Sequence, residues 1–539
     1  MSDPVYEIVR GMSIEQLLGQ SLMVGFSGYS ATPEALDLIT AGHVGGVILF
    51  SRNFASPEQA RALTASLQRA AHEAGHPLPL LIATDQENGI VRRTGPGTTF
   101  FPGNAALGAI AAEAAEAAEN ATEAVARATG EELRSLGVNM NLAPDVDVAN
   151  NPANPVIGVR SFGAEPDLVA RLGAAAIRGY RAAGIASTIK HFPGHGDTAV
   201  DSHQALPVIT ADRARLDTIE LPPFRAGIAA GADAVMTAHI AMPAITSDLT
   251  LPATLATPIL RGMLRDELGF GGVVISDCLE MHAINGGVGV APGAVQALLA
   301  GADIVLISHL DARQRAGLAA LRAAVTQGEI SEDIVRAAAE HVLRLKQRLA
   351  PWDEALSPRA LGGETMAAHQ RLAYDLYARS VTVLRDDAGT LPLRLPDGAH
   401  ALVVSQKDGP ASLAADLRFS ADPLVDELRR LRPTATIADV ILPAHPADDE
   451  LAALTHQAAE ADVVILLTCN AHLPRHLAAS QAVAEALLAA GRPVIAIAVC
   501  DAHDANVLPE IPTWLATYDY LPPALEAAAR KMVDVTTGG

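Results

Sequence analysis

The sequence predicts an α/β protein in which a (β/α)8 barrel of the TIM type is followed by a smaller α/β sandwich domain. Three observations support this prediction. The chain has 539 residues, which is too long for a single hydrophobic core. Short apolar runs recur between Ala-rich, helix-favouring segments in the first part of the chain. Polar residues cluster at the ends of these runs, where a parallel barrel carries its functional groups.

The predicted barrel strands are near-continuous apolar runs, which are typical of a buried parallel sheet. They cover residues 21–26, 45–50, 79–85, 139–147, 186–192, 234–240, 272–277 and 303–308. At or just after their carboxyl ends lie Asp85, Asp145, Asp147, Lys190, His191, His239 and Asp277. The Ala-rich stretch 111–133 has the composition of a strong helix former and predicts a helix on the outside of the barrel.

A boundary between two domains is predicted after the helical segment that ends near residue 350, because prolines and a Gly-Gly pair follow it. The predicted divisions are a barrel over 1–350, a linker and helical connection over 351–394, and an α/β sandwich over 395–539. Apolar runs at 400–406, 462–469 and 493–500, separated by helical patterns, predict the strands of this sandwich.

Charge and cysteine content limit the partners of the chain. A formal net charge of −22, from 39 Lys and Arg against 61 Asp and Glu, repels polyphosphate and anionic lipid. We therefore expect no nucleic-acid partner and no membrane partner. Three cysteines indicate a reducing compartment rather than a disulfide framework. The N-terminal segment has acidic residues where a signal peptide has basic ones, so we expect a cytoplasmic protein.

The segment KHFPGHGDTAVDSH, residues 190–203, carries the strongest chemical signal in the sequence. Pro193, Gly194 and Gly196 exclude a regular helix through its centre, so it is predicted to be a loop after a strand. Its titratable residues are Lys190, His191, His195, Asp197, Asp201 and His203. Such a concentration of charge and hydrogen-bonding groups predicts a polar ligand.

Asp201 and His203 within this loop are open to three interpretations. A carboxylate two residues before an imidazole can accept its ring N–H, which makes the pair a candidate for proton transfer. The same residues can serve only to hold the loop by local hydrogen bonds. The histidines and aspartates of the loop also supply enough nitrogen and oxygen ligands for zinc.

Three further segments present polar groups at predicted strand ends or loops. Asp277 directly follows a β-branched strand, where it either caps the next helix or faces the barrel mouth. Asp85 and Arg93 flank Gly89 and offer a carboxylate and a guanidinium for sugar hydroxyls, or else a surface ion pair. Arg160 lies in a loop rich in proline and glycine, which is weak evidence when taken by itself.

Together, four segments resemble glycoside hydrolase family 3, and within it the β-N-acetylglucosaminidase branch. They are DQENGIVRR (85–93), VIGVRSFG (156–163), KHFPGHGDTAVDSH (190–203) and VVISDCLEM (273–281). They occur in the order of the family and lie within the predicted barrel. The second part of the chain also resembles the α/β domain of two-domain family members. The sequence departs from the usual DQEGGRV at Asn88 and Ile90, and from the usual SDDLEM at Cys278.

The resemblance implies a role for each candidate residue. Asp277 is expected to be the catalytic nucleophile, and His203, oriented by Asp201, the general acid/base. The residues expected to bind the sugar are Asp85, Arg93, Arg160, Lys190 and His191. The resemblance implies neither a metal nor any other cofactor.

The expected function is that of a retaining exo-β-N-acetylglucosaminidase acting on a GlcNAc-containing oligosaccharide or muropeptide. Three alternatives remain at the level of the sequence. The enzyme can be a phosphorylase that uses phosphate in place of water, because a neutral histidine repels an anionic acceptor less than a carboxylate does. It can be a β-glucosidase or β-xylosidase with an acid from the second domain, or a sugar-binding protein without activity.

Overall fold

A computed structural model describes residues 3–201, 205–349, 351–407, 415 and 418–533. Its first part is a closed barrel of eight parallel strands in sequential order, in which the first strand pairs with the eighth. The strands are β1 (Leu22–Val24), β2 (Gly46–Leu49), β3 (Leu81–Thr84), β4 (Met140–Asn141), β5 (Ala186–Phe192), β6 (Ala234–Thr237), β7 (Val273–Cys278) and β8 (Ile304–Ile307). The predicted barrel is confirmed, and each strand lies within or overlaps its predicted run.

Helices follow the strands in the alternation that the sequence predicts. They are α1 (Pro4–Gly11), α2 (Ile14–Gln20), α3 (Pro33–Thr40), α4 (Pro57–Glu73), α5 (Asn104–Ala109), α6 (Ala115–Ser135), α7 (Pro166–Ala183), α8 (Arg213–Thr218), α9 (Leu221–Ala230), α10 (Pro243–Thr246), α11 (His282–Asn285), α12 (Val290–Ala300), α13 (Asp311–Thr326) and α14 (Glu332–Arg348). Short 3₁₀ segments cover Ser51–Asn53, Ile110–Ala112, Gly158–Arg160 and Ala253–Leu255, and a π-helix covers Pro258–Glu267.

Most of the Ala-rich stretch, from residue 115 onwards, belongs to α6, and α6 packs closely against α7. A Cβ atom at Gly179 of α7 would lie 2.4 Å from the Glu123 carbonyl oxygen of α6. Alanine combines the highest helix propensity with little volume, so a low-complexity sequence here produces a tightly packed pair of helices.

The amino-terminal end of the barrel is filled by side chains, which leaves the carboxyl end for a site. Met23, Met140 and Ile304 are among the inward-facing residues, and Val342 and Leu345 of α14 pack against this interior cluster. Apolar packing closes the amino-terminal end of the barrel. Within the described part of the chain, a site with polar side chains is therefore expected at the carboxyl end.

The second part of the chain is a six-stranded sheet covered by helices on both faces. Its strands are β9 (Thr382–Asp386), β10 (His400–Gln406), β11 (Thr436–Leu442), β12 (Val463–Thr468), β13 (Val494–Ala498) and β14 (Thr513–Ala516). Their order is β11-β10-β12-β13-β14-β9, with β9 antiparallel at one edge. The predicted α/β sandwich is therefore confirmed.

Three strands of this sheet are absent from the sequence prediction, and each has a physical reason. Strands β9 and β11 lie at the two edges, and their alternating or half-exposed side chains lack a continuous apolar run. Strand β14 is fully buried but only four residues long. Strand β9 lies within 351–394, the segment predicted to be a linker and helical connection, so that segment also supplies an edge of the second sheet.

The helices of the second part are α15 (Trp352–Leu356), α16 (Gly363–Ser380), α17 (Asp422–Leu431), α18 (Asp448–Glu460), α19 (Pro474–Ala489), α20 (Asp504–Val507) and α21 (Pro522–Met532). One core lies between the sheet and α16, α17 and α21, and the other between the sheet and α18 and α19. Among the described residues, every helix is too short or too polar to cross a lipid bilayer.

Candidate active site

A cavity of about 560 Å³ opens at the carboxyl ends of the barrel strands. Six residues predicted from the sequence line it: Asp85, Arg93, Arg160, Lys190, His191 and Asp277. They come from four segments that are far apart in the chain and meet only because the barrel closes. It is called the sugar pocket below, after the ligand that the sequence resemblance predicts.

Lys190 lies at the end of β5 and points its ammonium group into two carboxylates. Its Nζ atom is 2.9 Å from Asp85 Oδ1 and 2.6 Å from Glu87 Oε1, and its side chain is 2% exposed. Burial opposes the positive charge, but Asp85 and Glu87 outweigh burial and raise the pKa of Lys190. The lysine is therefore charged in the pocket, although it is almost fully removed from bulk water.

Glu87 connects Lys190 to Arg160. The Arg160 guanidinium donates from Nε to Glu87 Oε2 at 2.9 Å and from Nη2 to Glu87 Oε1 at 2.8 Å. Burial opposes ionisation of Glu87, but Arg160 and Lys190 outweigh it and hold the pKa of this carboxyl well below its usual value. A bidentate pair has a fixed geometry, so Glu87 sets the positions of both cations.

His191 forms an aspartate–histidine pair with Asp147. Its Nδ1 atom is 2.7 Å from Asp147 Oδ2, and the backbone N–H of His195 donates to Asp147 Oδ1 at 2.6 Å. Arg160 Nη2 lies 3.4 Å from His191 Nε2. Because Asp147 accepts the Nδ1 proton, the Nε2 side of the ring is directed towards Arg160 and the pocket.

Asp145 and Asp147 are buried beneath the pocket, and their pKa values are shifted in opposite directions. Burial and the neighbouring charge of Asp147 raise the pKa of Asp145 well above its usual value. For Asp147, burial is outweighed by His191, which lowers the pKa. The surroundings therefore favour the negative charge at Asp147 and oppose it at Asp145.

Asp277 is the penultimate residue of β7, which is two strands along the barrel from the strand β5 that carries Lys190. Its Oδ1 atom accepts a 2.6 Å hydrogen bond from the backbone N–H of Cys278. The Cys278 carbonyl oxygen is 3.0 Å from His239 Nε2, and His239 Nδ1 is 2.7 Å from Thr254 Oγ1. A fully buried histidine thus supports the strand end that carries this carboxylate.

Asp201 is buried and is 6% exposed. The described residues of the pocket lining do not include it. His203 lies outside the described residues. The roles of Asp201 and His203 as an acid/base pair therefore stay predictions.

The second domain contacts the turn that carries Glu87. The backbone N–H of Glu87 donates to Val91 O at 3.1 Å, which closes the turn, and Ile90 and Val91 at its far end belong to the core of the second domain. A Cβ atom at Gly89 would lie 2.8 Å from Gly103 Cα. The left-handed φ of +56° at Gly89 and this close approach both require glycine.

Ile90 stands where the family usually has arginine, and the structure gives a physical reason. Its side chain is 5% exposed and packs in a core with Tyr377, Leu395 and Tyr520. A charged side chain at this position would lose its hydration in this core, which costs free energy. The isoleucine at position 90 therefore forms part of the contact between the barrel and the second domain.

The residues that sequence reasoning did not assign to the site are mainly partners of the predicted ones. Glu87 was quoted in DQENGIVRR but received no role, although it lies two residues after Asp85 in the same motif. Others that line the pocket are Phe50, Arg52, His195, Glu280, His282 and His309. The position of Asp145 and Asp147 after β4 was sufficient to predict that they lie near the site. The sequence did not predict their contacts with His191 and Arg160.

Among the described residues, two groups of side chains bring metal-ligand atoms within 4.8 Å of one another. The first comprises Asp145, Asp147 and His191. Its carboxylates already receive backbone hydrogen bonds, and Arg160 Nη2 lies 3.5 Å from Asp145 Oδ2, so a guanidinium supplies the positive charge. The second comprises Cys278, Glu280 and His309 at the edge of the sugar pocket.

A second cavity of about 560 Å³ lies between α6 and the segment 353–361. Its lining includes Arg134 and Glu354, which form an exposed ion pair. The carboxyl ends of the barrel strands do not line it, so it lacks the convergent buried charges of the sugar pocket.

Comparison with known proteins relates this arrangement to a family. The profile described as "Glycosyl hydrolase family 3 N terminal domain" matches residues 13–345. A protein named "Beta-hexosaminidase A" from Pseudoalteromonas piscicida is 36% identical over 419 residues, which is 71% of this chain and 69% of the relative. A "Beta-hexosaminidase" from Xylella fastidiosa strain 9a5c is 38% identical over 322 residues, 58% of this chain and 93% of the relative.

Solved structures extend the likeness to the second domain. A glycoside hydrolase family 3 β-N-acetylglucosaminidase from Paenibacillus sp. strain FPU-7 has a TM-score of 0.87 and 40% identity, over 97% of both chains. A fungal multi-domain family 3 β-N-acetylglucosaminidase has a TM-score of 0.88 and 39% identity over 97% of this chain. The chain spans 59% of the length of that fungal protein.

Proposed function

Because the chain belongs to glycosyl hydrolase family 3 and is a β-hexosaminidase, we propose that it is a retaining exo-β-N-acetylglucosaminidase. Its substrates are GlcNAc-terminated oligosaccharides, including cell-wall fragments such as muropeptides. The observation that carries the proposal is the sugar pocket itself. There, Asp277 at the end of β7 shares one cavity with the buried charged groups around Lys190 and Arg160.

Recognition of the terminal sugar rests on groups whose charges are already paired. Asp85 accepts from Lys190 at 2.9 Å and lies 4.0 Å from Arg93 Nη2, which leaves carboxylate lone pairs for sugar hydroxyls. Lys190 and Arg160 are proposed to donate hydrogen bonds to the sugar, and His191 is proposed to contact it through Nε2. Since Glu87 and Asp147 fix these side chains before the sugar arrives, little conformational entropy is lost on binding.

Asp277 is the proposed nucleophile. The Cys278 N–H donates to Oδ1 and so orients the carboxylate, which is proposed to attack the anomeric carbon. Attack breaks the glycosidic bond and forms a covalent glycosyl-enzyme, which a water molecule then hydrolyses with retention of configuration.

A proton must reach the leaving oxygen in the first step and be removed from water in the second. His203, paired with Asp201, is the proposed group, because an imidazole near its usual pKa of ~6.5 exchanges protons readily near neutral pH. The second domain contributes Ala415 to the described lining of the pocket, and the adjoining sequence 408–417 contains no glutamate. This observation disfavours a glutamate acid from the second domain, which the β-glucosidase alternative requires.

A substrate panel tests the proposed reaction. The enzyme is assayed on 4-nitrophenyl glycosides of β-GlcNAc, β-glucose and β-xylose, with and without inorganic phosphate, and the first-formed product is identified by NMR. We expect release of β-GlcNAc from the GlcNAc glycoside alone. GlcNAc 1-phosphate as the product in phosphate buffer would establish the phosphorylase, and no turnover of any glycoside would favour the sugar-binding protein.

The dependence on the leaving group tests the acid/base. General acid catalysis contributes ~10² to 10⁴ in rate, but a nitrophenolate leaves without a proton whereas a sugar alkoxide does not. His203→Ala is therefore expected to lose much more activity on a GlcNAc disaccharide than on the aryl glycoside, with a burst of nitrophenol. Asp201→Asn is expected to show the same pattern more weakly. Equal losses on both substrates without a burst would assign His203 to sugar binding.

A further inference from the structure

We infer that Cys278, Glu280 and His309 form a binding site for a thiophilic divalent cation such as Zn²⁺, and that the bound cation inhibits the enzyme. One thiol, one carboxylate and one imidazole meet at the edge of the sugar pocket, with their ligand atoms within 4.8 Å of one another. This set goes beyond the proposed sugar chemistry, in which none of the three side chains has a role.

The ligand types and their spacing suit zinc. Tetrahedral Zn²⁺ with Zn–S ~2.3 Å and Zn–N or Zn–O ~2.0 Å places neighbouring ligand atoms ~3.3 to 3.7 Å apart. The present separations, all within 4.8 Å, therefore need adjustments of at most about 1.5 Å. A thiol in the set disfavours Mg²⁺ and Ca²⁺, which prefer oxygen ligands.

Surrounding hydrogen bonds hold two of the ligands in place. Glu280 accepts the backbone N–H groups of His309 at 2.6 Å and of Leu310 at 3.1 Å, which directs its carboxylate towards the group. Cys278 Sγ lies 3.0 Å from Ser308 Oγ and 3.9 Å from Glu280 Oε2. Metal ligands are commonly oriented by such outer contacts.

His309 is the third ligand and the most accessible of the set. It is exposed, and its ring packs against Phe50 with 5.4 Å between ring centroids. A small rotation of an exposed imidazole brings one ring nitrogen to a cation bound between the thiol and the carboxylate. The fourth coordination position then faces the sugar pocket, since all three ligands line it.

Two arginines keep the site weak. Arg313 Nη1 is 3.6 Å from Glu280 Oε1, and Arg52 lines the same side of the pocket. Their positive charges lower the affinity of the site for a cation. We therefore expect reversible inhibition rather than a permanently bound structural metal. The thiol proton passes to solvent as the Zn–S bond forms, so binding exchanges one proton for the metal.

Inhibition follows from the place of Cys278 in the chain. It directly follows Asp277, and its backbone N–H holds Asp277 Oδ1 at 2.6 Å. Drawing the thiolate onto a metal shifts this donor and the carboxylate that it orients. A cation at the pocket edge also attracts the negative charge that Asp277 needs for attack.

The experiment begins with chelator-treated enzyme, which we expect to be fully active. ZnCl₂ is titrated into the aryl-glycoside assay, and bound zinc is measured separately by equilibrium dialysis with metal analysis. We expect one bound Zn²⁺ per chain and at least ~10-fold loss of kcat/KM at saturation, with no effect of MgCl₂ at the same concentrations. The dialysis result does not depend on which glycoside the enzyme cleaves.

Variants locate the site. Removing even an outer partner of a metal ligand commonly costs ~10- to 100-fold in affinity, so Cys278→Ser and His309→Gln should each raise the half-inhibitory zinc concentration at least ~10-fold. Each is compared with its own metal-free rate. Cys469→Ser is the matched control, because Cys469 lies in the second domain beside Cys500 at 3.5 Å, and its inhibition should equal that of the unmodified enzyme.

Three results would overturn the inference. They are the absence of bound zinc in the unmodified enzyme, inhibition that is unchanged in both Cys278→Ser and His309→Gln, and equal inhibition by Mg²⁺. His309→Gln keeps the test decisive if Cys278→Ser fails to fold, because an exposed side chain contributes little to stability.

Discussion

The barrel and the second sheet carry similar aspartate–histidine pairs at the carboxyl ends of parallel strands. His191 Nδ1 lies 2.7 Å from Asp147 in the barrel, and His472 Nδ1 lies 2.7 Å from Asp504 in the second sheet. Both aspartates are fully buried. The pair in the barrel opens onto about 560 Å³, whereas the cavity beside His472 holds about 20 Å³.

The surroundings of the two pairs differ in charge as well as in space. Beside His191, Lys190 and Arg160 present buried cations to the cavity. Beside His472, Asp501 and His503 form a second pair at 2.7 Å, and the adjacent cavity is closed by the barrel loop that precedes Arg160. An aspartate–histidine pair therefore does not by itself make a site. The space and the cations around it decide whether a ligand can bind.

Loss of the nucleophile is expected to have the largest effect of any change on the barrel side. Asp277→Ala should lower kcat by at least ~10³, because no covalent intermediate can form. A 5-fluoro GlcNAc glycoside should label Asp277 in the unmodified enzyme, as detected by mass spectrometry of peptides. A label on another residue, or near-normal turnover of the variant, would contradict the assignment.

Glu87→Gln is expected to cost ~10² in kcat/KM, mostly through misplacement of Lys190 and Arg160. The substitution keeps the shape of the side chain but removes the charge that pairs with both cations. Breaking a buried ion pair also destabilises a protein by ~3 to 5 kcal/mol, so thermal unfolding is measured alongside kinetics.

Glu220→Gln is the matched control for Glu87→Gln. Glu220 is also buried, and it lies 3.4 Å from Arg215, but it does not line the sugar pocket. We expect a change in stability without a comparable loss of kcat/KM. Equal kinetic losses in the two variants would show that Glu87 acts only through general stability.

Ile90→Ala tests whether the second domain positions the turn that carries Glu87. We expect kcat/KM to fall up to ~10-fold, with KM rising more than kcat falls, since the sugar-binding cations lose their alignment. The assay is performed at a temperature where circular dichroism shows the variant to be folded.

Ile495→Ala is the control for Ile90→Ala, since Ile495 lies on β13 in the same hydrophobic core and is fully buried. Both substitutions should lower stability by ~2 to 5 kcal/mol. Only Ile90→Ala should alter KM. Unchanged kinetics in Ile90→Ala would limit the second domain to a role in stability.

The smallest effect is expected for the pair in the second sheet. His472→Asn should change kcat/KM less than ~2-fold, whereas His191→Asn should lower it by ~10² through loss of a sugar contact. Steady-state kinetics on the aryl GlcNAc glycoside compare the two directly. A loss in His472→Asn as large as that in His191→Asn would remove the distinction between the two regions.

The sequence by itself determined the architecture and family of this protein. The spacing of apolar runs, the composition and the order of motifs can all be read along the chain without knowledge of long-range contacts. Eight apolar runs with polar residues at their ends were sufficient to predict the barrel, and both the fold and the family are confirmed. Edge strands β9 and β11 were not predicted because neighbouring strands, rather than their own side chains, stabilise them.

Only the tertiary structure decided which charged residues pair. Glu87 lies 73 residues before Arg160, and no spacing rule links such positions. The structure also explains why an apolar residue stands at position 90, because the core that buries Ile90 is formed by residues of the second domain. The motif at 190–203 singles out His191, but strand position and an aspartate partner alone do not distinguish it from His472. His191 is the penultimate residue of β5, His472 follows β12, and each is paired with an aspartate. Only the packing of loops around them leaves a pocket at one and closes it at the other.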